Sequence, residues 1–375
     1  MAEPFKNLLG VAIVCDTGHH LARVAPEFDR RRFERLAIAG LEELELKARV
    51  VHIGRALEAA LPTDFARAAS VLERSLAPAR DDDDLSALQT SEAGLAGWAT
   101  WPMTDFVARC GLAMPERALQ ALHALTQRFT AEYAIRPFLM EHAELTFAAL
   151  RRWLHDPSPH VRRLVSEGSR PRLPWGMQLK FLIHDPQPTL PLLEALQDDP
   201  SEYVRRSVAN HLNDIAKDHP GVVADWLASH LPNASRERRA MLKHASRTLV
   251  KKGEPRVLKL WGIGTPLRGE VQFSLTPKLA AVGGSVQLAV TLRSTAKQAQ
   301  KLVIDYAVHH RKANGGTSPK VRKGWAIELG PHEQRRLTRS HSLAKVTTRR
   351  YYPGKHAVDL RVNGKVVAQA AFTLR

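Results

Sequence analysis

DPSPHVRRLVSEGSRPRLPW (residues 156–175) and DPSEYVRRSVANHLNDIAKDHP (199–220) are two copies of one short text. Asp156-Pro157-Ser158 returns as Asp199-Pro200-Ser201, and Val161-Arg162-Arg163 as Val204-Arg205-Arg206, each 43 residues on. A period in the forties, with an Asp-Pro turn ahead of a Val-Arg-Arg helix, is the pattern of HEAT-type helical repeats. One such unit of two or three helices cannot bury its apolar face alone, so neighbours stack into a solenoid and align their second helices along one wall. In the second copy Arg206, Asn210 and Asp214 stand at i, i+4 and i+8, on one helix face. Arg163 and Glu167 hold the matching positions of the first copy, with Arg162, Arg170, Arg172, Arg205 and Lys217 close by in sequence. Carboxylates ringed by guanidinium groups have two readings, an ion-pair ladder between repeats or a site on the wall.

Working outward, helical patterning runs back to the start of the chain. Phe33, Leu36 and Leu41, then Leu44, Ala48, Val51 and Ile53, fall at helical spacing. Pro62-Thr63-Asp64 reads as a stop and a fresh N-cap for a helix over 65–76. The acidic run Asp81–Asp84 reads as a solvated loop, with a metal site as the alternative. GLAGWATWPM (94–103) reads as a link between helical pairs; Trp98 and Trp101 are either core packing or a base-stacking platform. Segments 106–112, 116–128 and 145–154 continue as helices, and Pro137 starts a new helix or breaks an old one. Beyond Pro220 a helix covers 222–230 and a degenerate repeat covers 237–252, where Arg238-Arg239 echo Arg205-Arg206 and His244 echoes His211.

After Lys252 the period changes. Val271, Phe273, Leu275, then Val286, Leu288, Val290, Leu292, then Val303, Ile304, Tyr306, Val308 alternate with polar residues. Val358, Leu360 and Val362 lead into Asn363-Gly364, a hairpin signal, with Val366, Val367, Ala371 and Phe372 beyond. Short strands with turn signals at intervals of about ten residues predict an immunoglobulin-like β-sandwich. The expected architecture is therefore mainly α plus β: a HEAT-like α-solenoid over 1–262 and a β-sandwich over 266–375, with the boundary near 262–268.

The net charge of +17 is concentrated at one end. Residues 1–254 hold 33 Lys/Arg and 33 Asp/Glu, whereas residues 255–375 hold 22 and 5. A surplus confined to one domain points to a polyanionic partner, against the alternative of a basic surface tuned for solubility. Its cations cluster as Lys320, Arg322 and Lys323 beside Trp325, as Arg335, Arg336 and Arg339, and as Arg349-Arg350 beside Tyr351-Tyr352. These are the expected polyanion contacts of the β-domain.

Two cysteines, Cys15 and Cys110, fit a reducing compartment and no disulfide framework. The apolar run 8–14 is too short to span a membrane, and with Glu3 ahead of it and no small-residue cleavage site it does not read as a signal peptide. The chain reads as cytoplasmic. His19-His20 and His309-His310 lack zinc-site spacing, and there is no Walker loop and no nucleophile elbow.

Together with ALHALTQRFTAEYAIRPFL (121–139), MAEPFKNLLG (1–10) and ELKARV (45–50), the two repeat copies resemble the AlkC branch of the AlkD-like bacterial DNA alkylation repair glycosylases. The likeness covers nearly all of residues 1–250, and some members of that branch carry an immunoglobulin-like C-terminal domain. The resemblance implies a monomeric, cofactor-free, monofunctional glycosylase acting on alkylated bases in double-stranded DNA. Its lesions would be cationic N3-methylated bases, chiefly 3-methyladenine and possibly 3-methylcytosine, left largely stacked in the duplex. The family's acidic positions fall here on Glu132, Glu167 and Asp214, and its aromatic position on Trp175. Arg163, Arg170, Arg205, Arg206, Asn210 and Lys217 join Arg322 and Lys323 as expected DNA-binding residues, with Asn210 expected to bond between helices. Glu132 has the alternative of pairing with Arg128 or Arg136, and Trp175 that of capping the core between Pro171 and Pro174. No lysine is expected among the carboxylates, which argues against a Schiff-base lyase step. A helical-repeat protein that binds DNA structures or a protein partner without catalysis remains the rival reading.

Overall fold

The computed structural model describes residues 5–80, 82–263, 266–346 and 350–375. The expectations placed on Glu3, Asp81 and Arg349 fall outside them. Helices α1 (Val11–Val24), α2 (Arg30–Ile38), α3 (Leu46–Ala60), α4 (Phe65–Arg74), α5 (Thr100–Cys110) and α6 (Pro115–Thr126) come first. Helices α7 (Arg136–Glu141), α8 (Ala143–Trp153), α9 (Pro159–Gly168), α10 (Lys180–His184), α11 (Leu190–Leu196) and α12 (Glu202–Asp218) follow. Last come α13 (Pro220–His230), α14 (Arg236–Ala245), α15 (Arg247–Lys252) and α16 (Pro255–Leu260). Internal packing divides the chain into two compact units. One comprises residues 1–218 and 235–245; the other comprises 219–234 and 246–375.

In the first unit the repeated text folds for a local reason. Ser158 N–H donates to Asp156 Oδ1, and Ser201 N–H to Asp199 Oδ1, both at 2.9 Å. Each Asp-Pro-Ser is thus an Asx turn that delivers the chain into a helix, α9 or α12. The first arginine of each Val-Arg-Arg reaches back to close its own turn. Arg162 donates to the carbonyls of Asp156 and Pro157, and Arg205 to those of Asp199 and Pro200. Arg162 also makes a bidentate pair with Asp199 (2.7 and 3.0 Å), which fixes one repeat against the next. Val161, Leu164 and Val165 of α9 and Val204, Val208, Leu212 and Ile215 of α12 are buried. Each such side chain contributes about 1.5–3 kcal/mol. Helix α12 packs between α9 and α14.

Several local expectations hold. Asp64 caps α4 by accepting from Arg67 N–H at 2.8 Å, and Pro137 stands in the first turn of α7. Others are corrected. Trp101 lies inside α5 instead of in a linker, and Leu36 is exposed because α2 turns Phe33 and Ala37 inward. The helical stretch expected over 237–252 is broken between α14 and α15 at Ser246.

The second unit holds α13, α15, α16 and eight described strands. These are β1 (Gly269–Thr276), β2 (Leu279–Ala280), β3 (Ser285–Ser294), β4 (Gln300–Arg311), β5 (Thr317–Leu329), β6 (Gln334–Ser342), β7 (Gly354–Val362) and β8 (Lys365–Leu374). They form two sheets, β1-β3-β6 and β2-β8-β7-β4-β5. Between them pack Leu275, Val286, Leu288, Tyr306, Val308, Val358 and Phe372, and a second cluster of Val290, Leu292, Ile304, Leu329, Leu360 and Val362. Asn363 (φ +50°) and Gly364 (φ +80°) make the β7–β8 turn, with the left-handed pair that a two-residue hairpin needs. Two assignments change. Leu302 replaces Val303 on the core face of β4, and Val366 and Val367 are exposed.

Candidate functional site

Six charged side chains of the first unit form one alternating row. Arg163 of α9 bonds Glu132 (Nη1 to Oε2, 2.7 Å) and lies 3.6 Å from Glu167 Oε1. Glu167 accepts from Arg170 (2.6 Å) and, on its other oxygen, from the Ser207 hydroxyl of α12 (2.6 Å). Arg170 turns its Nε and Nη2 to Asp214, both at 2.8 Å. The far oxygen of Asp214 takes Lys217 Nζ at 2.7 Å. The order is Glu132, Arg163, Glu167, Arg170, Asp214, Lys217: three anions interleaved with three cations.

The sequence therefore identifies the members of the row, while the fold decides the partners. Glu132 pairs with neither Arg128, which donates to the Ala77 and Ala124 carbonyls, nor Arg136. A lysine does stand among the carboxylates, because α12 sets Lys217 one turn beyond Asp214. Thr130 joins at the other end, donating its hydroxyl to Glu132 (2.9 Å) and accepting from Arg163 (3.2 Å).

Only 8% of Glu132, 5% of Glu167 and 1% of Asp214 is exposed. A lone buried carboxylate would cost several kcal/mol or take up a proton. For Glu167 burial does oppose ionisation, but Arg163 and Arg170 and the bonds from Ser207 and Arg170 outweigh it, holding the carboxyl below its usual range. Burial likewise opposes the charge of Arg163, and Glu132 and Glu167 more than offset it. Tyr203 lies under Arg163, its ring centroid 4.8 Å from the guanidinium carbon, and burial pushes its phenol up to about 12. Burial and Glu132 raise the Tyr133 phenol to about 12 as well. His211 is lowered to about 3 by burial, so it is neutral and donates Nδ1–H to the Ser166 carbonyl (2.9 Å). Within the row the geometry offers carboxylates held in place by bonded cations.

The loop that leaves α9 carries Trp175. Its indole is 68% exposed and its backbone is left-handed (φ +63°), which overturns the core-capping alternative. That conformation is strained for any residue but Gly, Asn or Asp. Beneath the loop, fully buried Arg136 donates to the carbonyls of Gly168 (2.8 Å), Arg170 (2.9 Å) and Met177 (2.6 Å). Gly168 is required there, since a Cβ would fall 2.5 Å from Ile135 Cγ2. Lys47 of α3 donates to the Trp175 carbonyl at 2.5 Å. Trp98 and Trp101 are not a stacking platform; they pack with Phe129 and Tyr133, and Trp101 is buried.

The remaining expected residues lie apart from the row. Arg206 is exposed on α12, and Arg205 is committed to its turn carbonyls. Asn210 accepts from His244 Nε2 of α14 at 3.0 Å, so it does bond between helices. In the second unit Arg322 and Lys323 are exposed on β5, and Arg339 of β6 donates to the Lys323 and Gly324 carbonyls while lying over Trp325. Asp82 pairs with Arg80, Asp83 accepts from Ser201, and Asp84 caps Ser86. Among the described residues no group of three or more His, Cys, Asp or Glu is placed to hold a metal, and no helix is long and apolar enough to cross a membrane. Sequence reading missed Thr130, Ser207, Tyr203, Arg136 and Lys47.

Known proteins match this chain over nearly all of its length. The family described as "DNA alkylation repair enzyme" matches residues 127–249, and "Uncharacterised protein YhaZ, C-terminal Ig-like domain" matches residues 270–375. The uncharacterized protein YhaZ of Bacillus subtilis (strain 168) is 36% identical over 367 residues, 96% of each chain. The alkylpurine DNA glycosylase AlkC of Pseudomonas fluorescens, solved bound to DNA containing an abasic site analog, is 35% identical over all of both chains, with a TM-score of 0.90.

Proposed function

Because this chain belongs to the DNA alkylation repair enzymes, in their AlkC branch, we propose that it is a DNA glycosylase that excises alkylated bases from duplex DNA. The substrates are cationic N3-alkylated bases, chiefly 3-methyladenine and also 3-methylcytosine, hydrolysed while largely stacked in the duplex. The observation that carries the reading is the row itself: three carboxylates withdrawn from water across neighbouring repeats, with Glu167 held ionised on the helix whose following loop presents a strained, exposed tryptophan. Strain of this kind concentrates at functional sites. An ion-pair ladder kept only for stability would gain little over well-packed apolar residues.

The chemistry needs no strong acid. An N3-alkylated adenine already carries a positive charge, and the electron pair of the breaking C1′–N bond neutralises it as the base leaves. Charge then builds on the sugar as an oxocarbenium ion. Glu167 and Asp214, with Glu132 beyond them, supply fixed negative charge for that cation and orient the water that adds to C1′. The proton lost by that water passes to a carboxylate or to solvent. The Trp175 indole packs against the deoxyribose or backbone at the lesion. Exposed Arg206 and Lys217, together with Arg322 and Lys323 of the β-domain, position phosphates and the backbone without reading sequence, while Arg163 and Arg170 hold the carboxylates and Arg205 and Asn210 stay with their partners in the repeats. Excision is proposed to be hydrolytic and to leave an unbroken strand, with Lys217 acting as a donor to Asp214 and not as a nucleophile. The enzyme acts as a monomer in the cytoplasm, a setting that its two free cysteines suit.

The test is to incubate the protein with methylated duplex DNA and resolve the released bases by chromatography. Release of 3-methyladenine, with no covalent adduct trapped by borohydride, is expected. Absence of released base would refute the activity, and a trapped adduct would refute the hydrolytic mechanism.

A further inference from the structure

Resting on that function, we infer that Lys47 is a positioning residue that, together with the Gly176–Leu173 turn bond, locks the left-handed backbone of Trp175 and so aims its indole at the DNA. Three of the loop's carbonyls, at 168, 170 and 177, are held from below by Arg136. Two backbone bonds close its inner turns, Gly176 N–H to the Leu173 carbonyl and Leu179 N–H to that of Pro171, both at 3.1 Å. Leu173 and Leu179 anchor it in the core, at 4% and 0% exposure. The first of these two bonds holds the N–H side of the peptide group that sets ψ of Trp175. That group's carbonyl is taken by Lys47 Nζ, from a helix 128 residues earlier in the chain.

Lys47 suits the task because its stem is itself supported. Its ammonium lies 6.0 Å from the Tyr133 ring centroid, and Tyr133 stacks on buried Trp101 at 5.5 Å. The ammonium has three N–H donors and spends one on the carbonyl. Its positive charge also stands beside an exposed indole, where a DNA phosphate would be attracted. A contact made through a backbone carbonyl fixes where the side chain goes, since the adjoining φ and ψ set the Cα–Cβ direction. Arg136 positions the loop as a whole, whereas Lys47 holds the carbonyl side of the peptide group next to its exposed residue.

A double-mutant cycle with wild type, K47M, W175A and K47M/W175A tests this, with K47R as the conservative variant. Single-turnover base release is measured at saturating methylated duplex, and Kd for a duplex carrying an abasic-site analogue is measured beside it. K47M is expected to slow release about ten- to a hundredfold, as misplacement of a substrate-positioning group does, with the thermal midpoint unchanged. In the W175A background it has no further effect, and K47R recovers most of the loss. Equal losses in both backgrounds would make Lys47 a direct phosphate contact and overturn the inference, as would full activity of K47M. If the wild type releases no base, the proposed activity fails, while the same cycle read in Kd still decides whether Lys47 acts through Trp175.

Discussion

Replacing Trp175 by glycine should stabilise the protein relative to alanine while both changes remove activity. Trp175 holds φ at +63°, and a left-handed conformation costs an L-residue about 1–2 kcal/mol. Glycine adopts it freely but loses about 0.5–1 kcal/mol to its greater freedom in the unfolded chain. Because the indole is 68% exposed, it contributes little burial, and what it does contribute is absent from both variants. The comparison of W175G with W175A therefore isolates the backbone. Glycine should come out ahead by about 0.5–1 kcal/mol, which in a unit of this size is a rise of about 1–4 °C in Tm. Thermal unfolding of the two full-length variants, side by side, gives that number, and base release from methylated duplex gives the activity. A W175G no more stable than W175A would mean that the loop is not strained. A W175G that excises at the wild-type rate would mean that the indole does no work on DNA.

Three further outcomes follow from the same geometry. Arg162→Ala removes a bidentate partner of Asp199, which is 6% exposed, and should cost about 3 kcal/mol in denaturant unfolding; excision per folded molecule should change little. Burial sets His211 at about 3, below the ordinary value near 6.5, so the unfolded chain takes up a proton as pH falls through 6.5 and the folded chain does not. The urea midpoint should accordingly drop from pH 6.5 toward pH 4, with the lowered pKa values of buried His20 and His160 adding to the slope, and H211Q should flatten it. Removing Arg322 and Lys323 together should weaken duplex binding uniformly across sequences and reduce the log–log salt slope by about 1.8, measured by a salt titration.

What the sequence discloses depends on whether a residue's partner is local. Asp156-Pro157-Ser158 and Val161-Arg162-Arg163 are legible because the Asx turn, the carbonyls that Arg162 closes and the helix entry all lie within a few residues. Strand β3 is legible because Val286 to Leu292 bury every second residue, and β7 because Val358, Leu360 and Val362 place buried apolar side chains at every second position. The turn between β7 and β8 is announced by Asn363-Gly364, the pair with the least penalty for positive φ. Strands β5 and β6 escape notice because most of their length is solvated, with Lys320, Arg322, Arg336 and Arg339 exposed where a core-facing pattern would show apolar residues. On the wall, helical spacing and family resemblance together single out Glu132, Glu167 and Asp214. Their pairing was not legible, since Glu132 meets an arginine 31 residues away and Arg170 reaches an aspartate 44 residues away. Arg136 and Lys47 were missed for a further reason: both act on backbone carbonyls, which leave no trace in residue identity.

The most direct test of the central claim is to separate binding from excision in Glu167→Gln and Asp214→Asn. Each change keeps side-chain size and removes one anion from the row. Single-turnover release of 3-methyladenine should fall by about two orders of magnitude or more, while affinity for an abasic-analogue duplex stays at or above that of the wild type and circular dichroism shows folded protein. Folded variants that bind DNA and release base at the wild-type rate would leave the row as an ion-pair ladder between repeats and place the chemistry elsewhere.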